Sequence, residues 1–259
     1  MSEPTEAKGL PNIDVNEYGG KKDGVKQAMN RRLFMQLLVF RVPAGSQPVS
    51  GGPKSAPDAV ASELVSALRT RKIPAVVYAD AMDPRSLGLL TWSEDPAHFV
   101  LNVRPLFTEA PLSHVELRQD FAMIGRSYGT GHEPDLEWFL LKRPIENVMA
   151  ETSPWHVWYP LRRKGTFAKL EPIDQSHILR EHAALGIAYG QAELATDVRL
   201  ACHGLDAEDN EFLIGLVGTD LHPLSHLVQA MRKTRQTSEF IEKMGPFFVG
   251  HVLGRSSGA

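Results

Sequence analysis

Cysteine is nearly absent: the 259-residue chain has one, Cys202. An internal disulfide is therefore excluded, and the chain reads as the product of a reducing compartment. No apolar run approaches the ~20 residues that a membrane span needs. The opening stretch, MSEPTEAKGLPNIDVNEYGGKKDG, lacks the apolar centre of a secretion signal. Together these absences point to a cytoplasmic protein. There is no long basic run and the formal net charge is −3, so no nucleic-acid footprint is visible. What remains is ordinary globular composition, 42% hydrophobic and 23% charged. That is enough chain for one large or two medium domains with real cores.

The pattern along the chain divides it. Residues 1–32 read as a flexible or extended N-terminal arm, with order expected from Leu33. The dense apolar run Leu33 to Val42 reads as a buried strand. Pro43 to Pro57 is a Pro/Gly/Ser loop whose GGPKS lacks the Gly-Lys-Ser/Thr ending of a phosphate loop. A helix is expected over Asp58 to Arg71, then strands at Ala75 to Ala79 and Leu87 to Trp92. Ser93 is a candidate cap for a helix carrying Phe99, Val103 and Leu106. Strands near Phe121 to Tyr128 and Leu136 to Leu141 close this half. A join with little periodicity follows, Lys142 to Ser153. The second half, residues 151–259, repeats the plan. LGLLTWSEDPAHFVLNVR and FLIGLVGTDLHPLSHLVQAMR are each an apolar strand, an acidic turn with proline and an amphipathic helix. A βαββαβ unit occurring twice predicts an α+β fold. Its two ferredoxin-like halves, residues 33–150 and 151–259, should face each other as an α+β barrel with helices outside.

Ser153 to Tyr189 carries the chemistry. The strand places Trp155, Val157 and Tyr159 on one face, because alternate strand residues point the same way. The following helix places Ile178, His182, Leu185 and Tyr189 on one stripe. An imidazole aimed at the interior thus faces an aromatic strand across a turn bearing Arg162, Arg163 and Lys164. A flat, apolar, anionic cofactor with a central metal needs such a set: a nitrogen ligand, apolar walls and cations for carboxylates. Haem fits that description. A histidine in such a stripe is more often a core histidine bonded to a carbonyl, so spacing alone supports a pocket and no more. His222 and His226 sit at i and i+4, but no third zinc ligand is suggested nearby, and they read as surface histidines.

From Ser153 onward the chain resembles the C-terminal domain of the chlorite dismutase-like haem proteins, which include the coproheme decarboxylases. The matching stretches are WYPLRR (Trp158 to Arg163), REH (Arg180 to His182) with Tyr189, GLD (Gly204 to Asp206) and NEFLIGL (Asn210 to Leu216). LVQAMR (Leu227 to Arg232) and GPFFVG (Gly245 to Gly250) follow, and GRSY (Gly125 to Tyr128) is the clearest echo in the first half. The resemblance implies His182 as proximal iron ligand and Tyr159 as the redox-active tyrosine of the decarboxylases. It also implies haem b or coproheme as the iron porphyrin, with Trp158, Arg162, Arg163, Phe167, Ile178 and Leu185 around it. Phe167 stands where actinobacterial decarboxylases carry tryptophan. Peroxide or chlorite would be the small-molecule oxidant, and a homopentamer the usual assembly.

The chain also departs from the family pattern. The glutamate that orients the proximal histidine has Arg235 or Gln236 nearest its position. The distal arginine of true chlorite dismutases falls at Ala195; a shift of two residues brings Asp197 there, and Arg199 is the one arginine on that strand face. The propionate-binding arginine of some decarboxylases falls at Phe240. The expectation is therefore a coproheme decarboxylase-like oxidoreductase. The alternatives are a chlorite dismutase, a promiscuous haem peroxidase, and a non-catalytic haem carrier or sensor.

Overall fold

A computed structural model describes residues 10–44 and 56–258. Residues 1–9 and the GGPKS stretch, with most of the Pro43 to Pro57 loop, lie outside the described residues. Strands begin earlier than the expected Leu33. β1 (Glu17–Lys22) and β2 (Val25–Met29) form an antiparallel hairpin. Its two-residue turn, Asp23 and Gly24, has positive φ at both positions, the backbone that suits the twist of a tight hairpin.

The first half then runs β3 (Phe34–Arg41), α1 (Ala56–Thr70), β4 (Ala75–Asp80), β5 (Ser86–Ser93), a π-helical turn at Phe99–Val103 and α2 (Arg104–Thr108). The short β6 (Glu116–Leu117) pairs with β3, and β7 (Met123–Ser127) ends the half. α3 (Arg143–Met149) joins the halves, and the second runs β8 (Trp155–Arg163), α4 (Pro172–Gln191), β9 (Thr196–Ala201), β10 (Phe212–Gly218), α5 (Leu221–Met231), β11 (Ile241–Met244) and β12 (Phe248–Ser256).

Two expectations need correction here. Leu136 to Leu141 is not a strand, and the join after it is not irregular. Trp138–Lys142 is a π-helical turn leading into α3. The Asp135 carboxylate accepts from Trp138 N–H at 2.9 Å and caps it. Pro144 sits in the first turn of α3, where its missing N–H costs nothing. In the second half α5 ends at Met231, and a separate helical turn covers Gln236–Phe240.

Strand pairing closes a barrel. The order is β10-β9-β7-β3-β5-β4-β12-β8, and β10 pairs β8 to complete the ring. Within it β7-β3-β5-β4 and β12-β8-β10-β9 repeat one order, the βαββαβ pattern twice. The halves meet through the pairs β4–β12 and β7–β9. The two ferredoxin-like halves and the α+β barrel are thus present.

The strand period of two sorts side chains between the barrel interior and the helix-covered exterior. Met35, Leu37, Val76, Tyr78, Trp158, Val198, Leu200 and Phe248 fill the interior. Inside it, Tyr78 Oη donates to His156 Nδ1 at 2.8 Å, and His156 Nε2 bonds the Ser153 carbonyl at 3.2 Å. Burial pushes the His156 pKa down to about 3, so the ring stays neutral. Space for these aromatics is made by glycine: a Cβ on Gly215 would lie 2.5 Å from the Trp158 ring. Gly215→Ala is therefore expected to destabilise the fold by about 1–3 kcal/mol through overpacking. Chemical denaturation checks this, and an unchanged midpoint would refute the packing role.

Candidate functional site

The exterior of the β8–β10–β9 sheet brings several of the sequence-predicted residues together. Register pairs Tyr159 with Ile214 and Ile214 with Arg199, so these three form one row across three strands. The next row is Val157, Leu216 and Asp197. Val157, Tyr159 and Leu216 pack in one cluster with Leu224 and Leu227 of α5, and Tyr189 of α4 joins its edge. α4 lies over this face because its stripe Ile178, His182, Leu185, Tyr189 is the least exposed part of an otherwise exposed helix.

His182 is half-buried, with Nδ1 3.3 Å from Thr234 Oγ1. Burial lowers its pKa; Arg199 adds to the effect, while Asp197 and Glu181 oppose it. The ring is therefore neutral at pH 7, as a metal ligand must be. Among the described residues its Nε2 makes no hydrogen bond. The partner of Nδ1 is not Arg235 or Gln236, as expected, but the residue before them. The neighbouring Glu181 explains this: its carboxylate accepts from Arg235 N–H at 3.2 Å. That contact sets the phase of the turn and brings Thr234 under the ring.

Tyr159 is buried and stacks on Phe247, with centroids 4.6 Å apart. Burial raises its pKa, Asp197 adds to the rise and Arg232 opposes it. The phenol holds its proton at every physiological pH. Arg199 Nε lies 3.0 Å from Asp197 Oδ2, and Arg143 donates to the other carboxylate oxygen. The Arg199 Nε–H is not aligned for a hydrogen bond, so that contact is coulombic. Burial opposes ionisation of Asp197, but Arg199 and then Arg143 outweigh it and hold the carboxyl below its ordinary 3.8. Tyr128, just past β7, is pushed up by burial and pulled back by Arg199 and Arg163.

The remaining candidates divide. Arg163 shares the Tyr159 face; it pairs with Glu211 at 3.0 Å and stacks over Phe167 and Phe212. Phe167, Ile178 and Phe240 form a small buried cluster at the start of α4. Leu185 lines a groove of about 460 Å³ between α4 and α5, with His226, Lys233 and Thr234. Trp158 and Arg162 are on the other side of β8. Trp158 is fully buried in the barrel interior, on the opposite side of β8 from Tyr159. Arg162 reaches Glu242 at 3.7 Å and the Glu208 carbonyl at 3.3 Å. The one-residue alternation of β8 puts both on the face opposite Tyr159. Ala195 is buried and supplies no cation. His226 Nδ1 is hydrogen-bonded with the Tyr189 hydroxyl, and no group of three or more His, Cys, Asp or Glu among the described residues could hold a metal ion. Sequence reading missed Thr234, Tyr128 and Arg143; only the fold brings these to the site.

Known proteins share this geometry in part. Residues 139–253 match the chlorite dismutase family model. That stretch, under half of the chain, holds His182, Tyr159, Arg199 and Thr234. Solved structures agree over most of the length. A protein provisionally named a chlorite dismutase superposes with a TM-score of 0.67 at 14% identity, covering 86% of this chain and 96% of that one. A haem-binding protein from Thermus thermophilus gives 0.66 at 18%, over 86% and 92%. The chlorite dismutase of Candidatus Nitrospira defluvii in complex with imidazole gives 0.65 at 14%, over 86% and 91%. No curated protein matches the sequence. The chain has the chlorite dismutase-like fold, and no helix among its described residues is long and apolar enough to cross a membrane.

The Asp197 triad makes a stability prediction. A depressed carboxyl stabilises the fold above its ordinary pKa of 3.8 and loses that contribution as pH falls through the lower folded value. Asp197→Asn should cost about 1–2 kcal/mol at pH 7, discounted because the group is a third exposed. The difference from wild type should shrink below the ordinary carboxyl range. A cost independent of pH would contradict the ion pairing.

Proposed function

We propose that the chain binds an iron porphyrin, haem b or coproheme, through His182, and that it is a peroxide-dependent oxidoreductase of the coproheme decarboxylase kind. One observation carries this reading. A neutral, half-buried imidazole with an oriented Nδ1 lies on the inner stripe of α4, over a sheet face bearing a protonated tyrosine and an arginine. The donor set fits the group: one imidazole nitrogen, apolar walls from Ile178, Val157 and Ile214, and cations from Arg163 and Arg199 for carboxylates. When bound, the iron supplies the oxidising chemistry with peroxide.

The protein's own residues do the rest. His182 holds the metal through one nitrogen and is kept neutral by burial. Tyr159 keeps its proton on Oη, so it can pass on a hydrogen atom and does not become a phenolate ligand. The apolar cluster around it, with Phe247 on its ring, excludes water from that face. Asp197 neutralises Arg199 and Arg143 in part. That disfavours chlorite chemistry, which needs a free mobile cation to hold the anion. Ile173, Leu179 and Ile187 are exposed on α4; a second copy of the chain would cover them in a homo-oligomer, a pentamer by resemblance.

Purified protein mixed with ferric coproheme or haem should give a Soret band, and His182→Ala should weaken binding at least roughly tenfold. An unchanged spectrum and affinity in that variant would sink the ligand assignment. Peroxide should then convert bound coproheme through a three-propionate species visible by mass spectrometry. Tyr159→Phe keeps the ring, so binding should survive while conversion falls by about a hundredfold or more; normal conversion would refute the relay. Haem binding without conversion favours the carrier or sensor reading. Sustained oxygen release from chlorite, lost in Arg199→Ala, would make the chain a chlorite dismutase instead.

A further inference from the structure

We propose that Thr234 is a positioning residue that fixes the tautomer of His182, leaving Nε2 with the free lone pair. The consequence for iron rests on the haem reading above, but the tautomer itself does not. The argument is a count of hydrogens. Thr234 Oγ1 lies 2.8 Å from the Met231 carbonyl, which can only accept. The one hydroxyl hydrogen is therefore committed to Met231. Toward His182, 3.3 Å away, Oγ1 can only accept, so Nδ1 carries the ring hydrogen. Thr237 Oγ1, 3.3 Å from Thr234 Oγ1, is the longer alternative for that hydrogen, and the 2.8 Å contact to a carbonyl that can only accept outweighs it.

The Thr234 side chain is held in place by its surroundings. Thr234 is buried at 3% exposure. Its N–H donates to the same Met231 carbonyl at 3.0 Å. Its own carbonyl accepts from the N–H and hydroxyl of Ser238, each at 2.9 Å. Glu181, the neighbour of His182, caps the next residue through Arg235 N–H. The end of α5 is thus built to present an acceptor oxygen to Nδ1.

The chemical class of the partner also matters. A neutral hydroxyl orients the ring but draws its hydrogen far less than a carboxylate would, so the imidazole gains little anionic character. Bound iron would receive a weaker electron push than from a carboxylate-bonded histidine, and its reduction potential would sit higher.

Nitrogen-15 NMR of the full chain labelled at histidine, with no haem added, tests the tautomer directly. Wild type should show His182 protonated at Nδ1, and Thr234→Ser should keep that state. Thr234→Val should shift the ring toward the Nε2–H form. A wild-type ring protonated at Nε2 overturns the proposal, and that spectrum decides even if Thr234→Val fails to fold. With ferric haem added, Thr234→Val should weaken affinity roughly tenfold, and Thr234→Glu should lower the midpoint potential below wild type. If no haem binds to any form, the haem reading fails while the tautomer result stands. If haem binds through His182 yet tautomer, affinity and potential ignore position 234, this inference fails alone.

Discussion

β8 is pinned on both edges, by β10 along one side and by β12 and β11 along the other. Its register cannot slip, and everything functional depends on that. With a period of two, His156 and Trp158 go into the barrel while Val157, Tyr159 and Arg163 go toward α4. A slip of one residue would bury Tyr159 among the interior aromatics and set Trp158 against His182. Gly215, opposite Trp158 on β10, enforces the choice, because only a residue without Cβ leaves room for the indole.

The two halves share a strand order but not a purpose. α1 buries Ala59, Val60, Ala61, Leu64 and Leu68 against its sheet. α4, five residues longer, buries only Ile178. Its inner stripe carries an imidazole and a phenol instead, above a sheet face with an arginine and an aspartate. The first half is sealed by apolar packing. The second keeps half-buried polar groups that are partnered with one another, the arrangement that buried polar groups require. Function on a duplicated fold therefore concentrates where one helix is left incompletely packed.

Much of this was legible in the sequence, for a physical reason. Regular elements announce themselves by period, so the alternation of β8, the stripe of α4 and the repeated βαββαβ pattern could all be read. Short segments were harder. WFLLK is a brief apolar run that fits strand or helix, and the Asp135 cap that decides for helix lies just outside it. The β1–β2 hairpin is too polar to show a buried face, though its Asp-Gly turn is a known signal. Arg162 and Arg163 are adjacent in sequence but fall on opposite faces of β8, a parity that a cluster of charges does not show by itself. Thr234 could not be found at all, since its role arises where the end of α5 meets the middle of α4, fifty-two residues away.

The account stands on His182 as the residue that meets iron from the α4 side. Its most direct test is cavity rescue: His182→Gly loaded with ferric haem, with and without added imidazole, followed by resonance Raman of the reduced form. The account predicts that the iron–imidazole stretch of wild type disappears in the variant and returns when imidazole fills the vacated space. A variant that keeps the wild-type band without imidazole would contradict it, since another side chain would then be the ligand.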